Sequence, residues 1–364
     1  MTMLAMNTSR HQLDAADLPV FFHEDIRFHD VFIDNKIRIW DALINILGNS
    51  SYNINRFISE DYKIYLKLLL RNDEFDIIHL DGLFLAPYVD TIRELSKAKI
   101  VKRAHNVEYK IWEKLADQRI GLTKWYLKLL ARRLKQFEVD HMNDYDLILP
   151  ITKEDENIFK GHGLKIPSRV VPFGLEIDRY DIDNSNLEFP SIFFIGSLEW
   201  MPNMEGIKWF LEKVWKEINS SFPEVNFYIA GRGVPDWLLN LKEPGVEVLG
   251  EVEESAKLFQ RKGIMVVPLF SGSGMRVKII EGMAYGKPII STSVGAEGIP
   301  YTDKKDILIT DTSKGFINCL SKCIVNKEYS LKLGQEGRSF ISKNYDNAEI
   351  ISSLLLFYKQ FQAS

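Results

Sequence analysis

The stretch that decides the fold is Val266–Thr292, which reads VVPLFSGSGMRVKIIEGMAYGKPIIST. An apolar strand ends at Pro268, a loop of small residues follows, and the spacing predicts a helix over Met275–Tyr285. Gly286 is placed to end that helix, and Pro288 opens the next strand. Small residues let the backbone approach a ligand, and a helix N-terminus offers N–H donors to an anion.

The same alternation of apolar strands and helices extends over most of the chain. Near-continuous apolar strands between helices indicate parallel sheets that are covered on both faces. The polar segment Glu176–Pro190 ends in proline, and we interpret it as the link between two α/β domains. Strands are predicted at residues 1–6, 75–80, 99–103, 146–150, 169–172, 191–195, 225–229, 246–249, 264–268, 288–292 and 307–310.

We therefore expect an α/β protein with two Rossmann-like, doubly wound parallel-sheet domains that face a cleft. Residues 1–174 are predicted to form the first domain and residues 175–345 the second. Residues 346–364 are predicted to form a C-terminal helix that returns toward the first domain. Ligands of such sheets bind outside the carboxyl ends of the strands, so the site is expected there.

Composition excludes several classes of protein. The 364 residues carry a formal charge of −4, which argues against a nucleic-acid-coating protein, and 46% hydrophobic residues exclude global disorder. Cys319 and Cys323 are the only cysteines, too few for a disulfide scaffold or a structural zinc site. We see no signal peptide and no apolar run of membrane-spanning length, so we expect a cytoplasmic protein. We also predict no bound metal or cofactor.

The residues of the deciding stretch fit a nucleotide site. Arg276 and Lys278 place positive charge beside the loop Gly272–Gly274, where phosphates would bind. Glu281 could accept both hydrogen bonds of a vicinal diol such as a ribose. The same residues also fit a plain βα turn with an ordinary Lys278–Glu281 ion pair, and the residues alone leave the two interpretations even.

This stretch resembles the nucleotide-sugar-binding core of the retaining GT-B glycosyltransferases of family 4, of the bacterial polysaccharide type. Glu281 and the following GMAYGKP match the second half of the family pattern, whereas Ser273 stands where the pattern has its first Glu. The resemblance implies that Glu281 binds the ribose hydroxyls and that Arg276 and Lys278 hold the diphosphate. The donor-binding residues that it implies are Gly272, Ser273, Gly274 and Glu281.

Other stretches resemble the same family. Val170–Tyr180 is similar to the junction into the second domain, and Phe194–Phe210 to the first strand, loop and helix of the donor domain. Many members hold the diphosphate with an Arg and a Lys in that loop, but here no cation precedes Lys208. His105 ends a predicted strand, and the family commonly places a His there near the donor sugar. A histidine satisfied by local hydrogen bonds is the alternative.

The resemblance implies a hexosyltransferase-type enzyme that moves a sugar from a nucleotide-sugar donor to a hydroxyl acceptor with retention. Its first domain would be on the acceptor side, and the acceptor would be a glycan or a lipid-linked saccharide. Two alternatives stay open: a catalytically inactive nucleotide-sugar-binding partner subunit, and a GT-B sugar-nucleotide 2-epimerase. Residues 1–6 precede no Gly-rich loop of the family kind, so we expect the first βα unit to be missing. Either the true start lies upstream, which we favour, or the protein works without that unit.

Basic residues concentrate in one window, Lys97–Phe137, whose formal charge is +9. Within it, Lys124, Lys128, Arg132 and Lys135 share a predicted helix with aromatic and leucine residues. Basic amphipathic helices often rest on anionic lipid, which predicts a peripheral contact with the inner face of a membrane. A solvated helix with its apolar stripe in the core is the equal alternative.

Overall fold

The computed structural model of the chain describes residues 1–9, 18–36, 45–46, 48, 50–183, 185–272 and 274–363. The chain divides into two compact units, Met1–Val171 with Lys359–Ser364, and Pro172–Tyr358. Among the described residues, no helix combines the length and the apolar character needed to cross a membrane.

The described part of the N-terminal unit contains two parallel sheets. β1 (Thr2–Thr8) pairs with β2 (Arg27–Ile33), and β4 (Lys99–Ala104) lies between β3 (Ile77–Asp81) and β5 (Leu147–Pro150). The helices are α1 (Val20–Asp25), α2 (Tyr52–Asn55), α3 (Glu60–Asn72), α4 (Val89–Leu95), α5 (Glu108–Asp117), α6 (Gly121–His141) and α7 (Lys153–Gly161).

Two strand predictions in this unit need correction. Arg169–Pro172 is not a strand, although Arg169 donates to Ile148 O and Val171 to Pro150 O along β5. Pro167, two residues before the segment, has no N–H with which to extend this pairing toward the N-terminus. The prediction also missed β2, because its charged residues interrupt the apolar pattern.

Helix α6 buries part of its apolar stripe. Leu130 and Leu134 lie in the core of the N-terminal unit. Arg133, beside them on the helix, donates to Asn45 O at 2.6 Å and to Ile46 O at 3.1 Å. Much of the helix therefore packs into its own unit, and Leu130 is not exposed to a lipid surface.

The C-terminal unit is built on one six-stranded parallel sheet with the order β11-β10-β9-β6-β7-β8. The chain enters in a central strand, moves outward through two strands, and then returns to the other side of the first strand. The order therefore reverses between β6 and β9. The strands are β6 (Glu188–Ile195), β7 (Asn226–Ala230), β8 (Val246–Gly250), β9 (Lys262–Val267), β10 (Ile289–Ser291) and β11 (Leu308–Ile309).

Both faces of this sheet are covered, as predicted. Ile192 and Phe194 of β6 belong to the core on one face, and Phe193 belongs to the core on the other. The helices are α8 (Met201–Phe210), α9 (Lys216–Ser221), α10 (Asp236–Leu239), α11 (Ser255–Arg261), α12 (Val277–Ala284), α13 (Ser313–Val325), α14 (Lys327–Tyr345) and α15 (Asn347–Ala363). A π-helical turn, Leu211–Trp215, joins α8 to α9.

Strand β6 begins earlier than the prediction, at Glu188 instead of Ser191. The Glu188 carboxylate accepts hydrogen bonds from Lys262 Nζ at 2.5 Å and from Tyr228 Oη at 2.6 Å. These contacts to two neighbouring strands fix the end of the acidic segment Glu176–Pro190 in the sheet. A short 3-10 turn, Ile177–Arg179, lies nearer its start.

Candidate functional site

The point at which strand order reverses brings two loops together. One loop follows β6 and leads into α8, and the other follows β9 and leads into α12. A Cβ atom on Gly206 of α8 would lie 2.1 Å from the carbonyl oxygen of Pro268. Only glycine allows this contact, so α8 lies directly against the loop that follows β9. Ligands of open α/β sheets bind at such a reversal of strand order.

Lys278 points into this region and is held by an amide. Its Nζ donates to Asn203 Oδ1 at 2.8 Å and lies 4.2 Å from the centroid of the Phe194 ring. Asn203 in turn donates through Nδ2 to the carbonyl of Ser197 at 2.7 Å. The alternative of an ordinary Lys278–Glu281 ion pair is therefore wrong, because the amine contacts Asn203 instead.

The surroundings of Lys278 disfavour its charged form. Burial, together with the neighbouring Arg276 guanidinium, lowers the pKa of the Lys278 amine to about 7. Near neutral pH such an amine is divided between its charged and neutral forms. An anion that binds beside it would favour the charged form.

Arg276 lies just before α12 with an extended backbone, so the helix starts later than the predicted Met275. Its Nη1 donates to Gly274 O at 2.8 Å, and its guanidinium lies 5.0 Å from the Trp200 ring centroid. Burial lowers the pKa of Arg276. The side chain therefore links the loop after β9 to the loop after β6.

Gly272 is required by both its backbone and its neighbours. Its φ is +107°, and an added Cβ would lie 2.8 Å from the Trp200 ring and 2.7 Å from Arg276 Nη2. Gly274 also has a positive φ, of +84°. The loop is therefore closely packed against the Arg276–Trp200 pair. Ser273, the remaining predicted loop residue, lies outside the described residues.

Glu281 is located one helical turn after Lys278. Burial raises the pKa of its carboxyl group. The pKa of Tyr180 and that of Tyr285 are raised mainly by burial and further by the Glu281 charge, and the two rings lie 4.9 Å apart. The carboxylate is thus partly buried beside two aromatic rings, where it can accept hydrogen bonds from a ligand.

His105 belongs to the N-terminal unit and directly follows β4. Its Nε2 lies 2.5 Å from Oδ1 of Asp81, the last residue of β3. The two side chains are 47% and 69% exposed, so the pair is accessible at the carboxyl edge of this sheet. The carboxylate fixes the orientation of the ring and leaves Nδ1 as the nitrogen available to another partner.

Three residues of these sites were not predicted. Asn203 lies in the first turn of α8, which begins at Met201, and its side chain contacts Ser197 and Lys278. No local pattern shows that contact, since 75 residues separate Asn203 from Lys278. For Trp200 the sequence shows only an aromatic residue in a loop, which does not predict its contact with Arg276. Asp81 could have been found, because it ends a predicted strand as His105 does.

Comparison with known structures shows the fold. Sucrose-phosphate synthase from Thermosynechococcus elongatus is similar with a TM-score of 0.69 and 15% identity, covering 100% of this chain and 89% of that one. Anabaena Alr3699/HepE in complex with UDP is similar with a TM-score of 0.64 and 12% identity, covering 93% of this chain and 88% of that one. The predicted GT-B fold is confirmed.

Sequence comparison adds the activity class. Residues 189–326 match the family described as glycosyl transferases group 1. Together with the fold, this match identifies the protein as a glycosyltransferase with the GT-B architecture. An uncharacterized 44.6 kDa protein in the cps region of Klebsiella pneumoniae is 22% identical over 302 residues, covering 79% of this chain and 76% of that protein.

Among the described residues, no group of three or more His, Cys, Asp or Glu side chains is arranged to hold a metal ion. Metal-independence of the reaction therefore stays a prediction from the sequence.

Proposed function

We propose that the enzyme transfers a sugar from a nucleotide-sugar donor to a hydroxyl group of a glycan or lipid-linked saccharide, with retention of anomeric configuration. The observation that carries this proposal is the pair of cations, Arg276 and Lys278, at the reversal of strand order. Their positions match where a diphosphate binds in open α/β sheets. The adjacent Glu281 carboxylate supplies an acceptor for ribose hydroxyls.

In the proposed reaction, the bond between the anomeric carbon and the diphosphate breaks as the acceptor oxygen attacks on the same face. The leaving diphosphate takes the acceptor proton, so no protein nucleophile is needed. Arg276, Lys278 and the backbone of Gly272–Gly274 then stabilise the charge that develops on the diphosphate. Positioning of the two substrates supplies the remaining rate enhancement. His105 is proposed as a substrate-contacting residue of the N-terminal unit.

The acceptor class is proposed from the relatives. The Klebsiella protein lies in a cps region, and a solved structure of TarM contains fondaparinux, α-GlcNAc-glycerol and UDP. Both are consistent with work on a saccharide or polyol acceptor. We accordingly propose that this enzyme acts in polysaccharide biosynthesis. We propose the cytoplasm as its location, as the sequence predicts.

A contact with the inner face of an anionic membrane would bring the enzyme to a lipid-linked acceptor. The turn between α5 and α6 presents Ile120 at 89% and Leu122 at 86% exposure, with the exposed Trp125 one turn on. Arg119 and Lys114 are exposed nearby and would meet anionic headgroups. Lys124 and Lys128 lie 3.5 and 3.7 Å from Asp117, which offsets part of their charge. We therefore place the membrane contact at this turn.

Vesicle flotation tests the membrane contact. The protein should float with phosphatidylglycerol vesicles and not with phosphatidylcholine vesicles, and Ile120→Ser with Leu122→Ser should abolish flotation. Ile64→Ser with Leu68→Ser changes a second exposed apolar pair, on α3, whose side chains are 64% and 52% exposed, and serves as the control. Flotation that is equal for both pairs, or absent from anionic vesicles, would refute the contact.

A donor panel tests the catalytic proposal. Thermal unfolding with UDP-, GDP-, ADP- and dTDP-sugars should single out one nucleotide, since a ligand at 100 times its Kd adds about 2.7 kcal/mol of stability. Incubation of that donor without acceptor separates the alternatives, because a 2-epimerase converts the donor alone. Donor binding with no turnover on any saccharide acceptor would instead indicate an inactive partner subunit. The anomeric configuration of the product, measured by NMR, tests retention.

A further inference from the structure

The groups in contact with the Lys278 amine carry no negative charge. Asn203 Oδ1 accepts from its Nζ, and the Phe194 ring lies below it, and both groups are neutral. The charged group that acts on it is Arg276, which is of the same sign. Glu281, the nearest carboxylate on the same helix, makes no ion pair with Lys278 within the described chain.

Asn203 is itself fixed. It is buried, and its Nδ2 donates to Ser197 O, so its Oδ1 must face Lys278. An amide oxygen accepts a hydrogen bond from an ammonium group and from a neutral amine alike. Asn203 therefore holds the nitrogen in place in either protonation state. A carboxylate at the same position would stabilise the ammonium form.

The position of Gly196 shows how closely these groups are packed. An added Cβ at Gly196 would lie 2.9 Å from Lys278 Nζ and 2.9 Å from Asn203 Nδ2. The amine thus lies against the backbone that follows β6, where burial disfavours its charged form. An anion that enters the site would compensate that charge.

We propose that donor binding takes up a proton onto Lys278, and that Asn203 is the positioning residue that holds the amine ready for it. The proposal rests on the proposed function, because the diphosphate of the donor is the anion that would stabilise the charge. The proton comes from solvent, the neutral amine becomes an ammonium ion, and no other bond is made or broken.

The pH range follows from the pKa of about 7 for the empty site. Below about pH 6 the amine is already charged, so binding takes up no proton there. At pH 8 most empty molecules carry the neutral amine, so binding takes up close to one proton. Between pH 7.5 and 9 the donor affinity should then fall by up to tenfold per pH unit, as linkage requires.

Isothermal titration calorimetry measures the uptake directly. UDP is titrated at pH 8 in Tris, HEPES and Bicine. GDP, ADP and dTDP are titrated in parallel, because the proposal does not specify the nucleobase of the donor. The slope of the observed enthalpy against the buffer ionisation enthalpy gives the number of protons taken up. We expect a slope near one for wild type, falling toward zero at pH 6.

Three variants assign the proton. Lys278→Arg keeps a cation that stays charged, so the nucleotide should bind without uptake. Asn203→Asp supplies a carboxylate that charges Lys278 beforehand, so uptake should also vanish, with weaker binding from the added negative charge. Lys213→Met removes an exposed lysine of the same unit and should change neither slope nor affinity.

Two results would overturn the inference. One is tight nucleotide binding by wild type with a slope of zero across pH 7 to 9. The other is undiminished uptake in Lys278→Arg, which would move the proton to another group. Both leave the proposed glycosyl transfer intact, whereas failure of all four nucleotides to bind would refute the proposed function itself.

Discussion

Replacement of Gly206 by alanine tests the packing that forms the site. The added Cβ would lie 2.1 Å from Pro268 O and 3.1 Å from Pro268 C, and side-chain Cβ atoms do not approach closer than 3.0 Å. Helix α8 or the loop after β9 must therefore move by at least about 0.9 Å. The atoms in contact are backbone, so no side-chain rotation can relieve the overlap.

The expected cost follows from the behaviour of overpacked interiors. Such insertions destabilise by about 1–3 kcal/mol. For a unit of this size, 1 kcal/mol corresponds to about 2–4 °C in Tm, so Gly206→Ala should lower the Tm of the C-terminal unit by about 2–12 °C. A displacement of about 1 Å near reacting groups can also cost on the order of 100-fold in rate.

Differential scanning calorimetry and initial rates with the selected donor measure the two effects. Gly161→Ala is the matched control, because Gly161 ends helix α7 and an added Cβ there meets no atom within 4 Å. That variant should keep its rate. Its free energy of unfolding should be unchanged or higher by about 0.4–1 kcal/mol. A Gly206→Ala protein with wild-type Tm and wild-type rate would show that α8 does not lie against this loop.

Three further predictions follow from the described contacts. Glu281→Ala should abolish donor binding in calorimetry with little change in Tm, because the carboxylate is proposed to bind the donor and makes no ion pair within the described residues. Asp81→Asn should lower kcat without destabilising, and the double variant with His105→Ala should lose no more than His105→Ala alone, since Asp81 acts through the ring. Glu108→Gln should raise the Tm at pH 8 and leave it unchanged at pH 4. The folded pKa of Glu108 is about 7, raised mainly by burial, so its contribution to stability is complete below the ordinary carboxyl pKa and is lost as pH rises through 7.

Each of these has a contrary outcome. Full donor affinity in Glu281→Ala would remove Glu281 from the site. Additive losses in the Asp81 and His105 double variant would show that the two residues act independently. Equal Tm for wild type and Glu108→Gln at pH 8 would show that the carboxyl group carries no penalty when ionised.

The strands of the C-terminal unit could be predicted because both faces of the sheet are buried. β6, β7 and β9 consist almost entirely of apolar residues, and a parallel sheet between two helix layers requires this pattern. β2 mixes charged and apolar residues without a regular alternation, which is also compatible with a surface loop. The segment Arg169–Pro172 has the apolar pattern of a strand, but Pro167 just before it lacks the N–H group that would extend its pairing with β5.

The candidate site could be predicted only where it is continuous in sequence. Arg276, Lys278 and Glu281 fall within six residues, so their common location followed from the strand-loop-helix pattern. Asn203 reaches Lys278 only through the fold of the sheet, and its effect on the amine depends on burial and on the absence of a carboxylate contact. The sequence pattern contains neither piece of information, because both are properties of the packed interior.

The most direct test of the central claim is hydrogen exchange measured by mass spectrometry, with and without the nucleotide sugar selected by the donor panel. We predict that a saturating donor slows exchange in peptides covering residues 196–203 and 270–281, where the loops after β6 and β9 place Asn203, Arg276, Lys278 and Glu281. Protection of these peptides should be lost in Glu281→Ala. Donor binding that leaves both peptides unprotected, while protecting a different part of the chain, would contradict the assignment of this site.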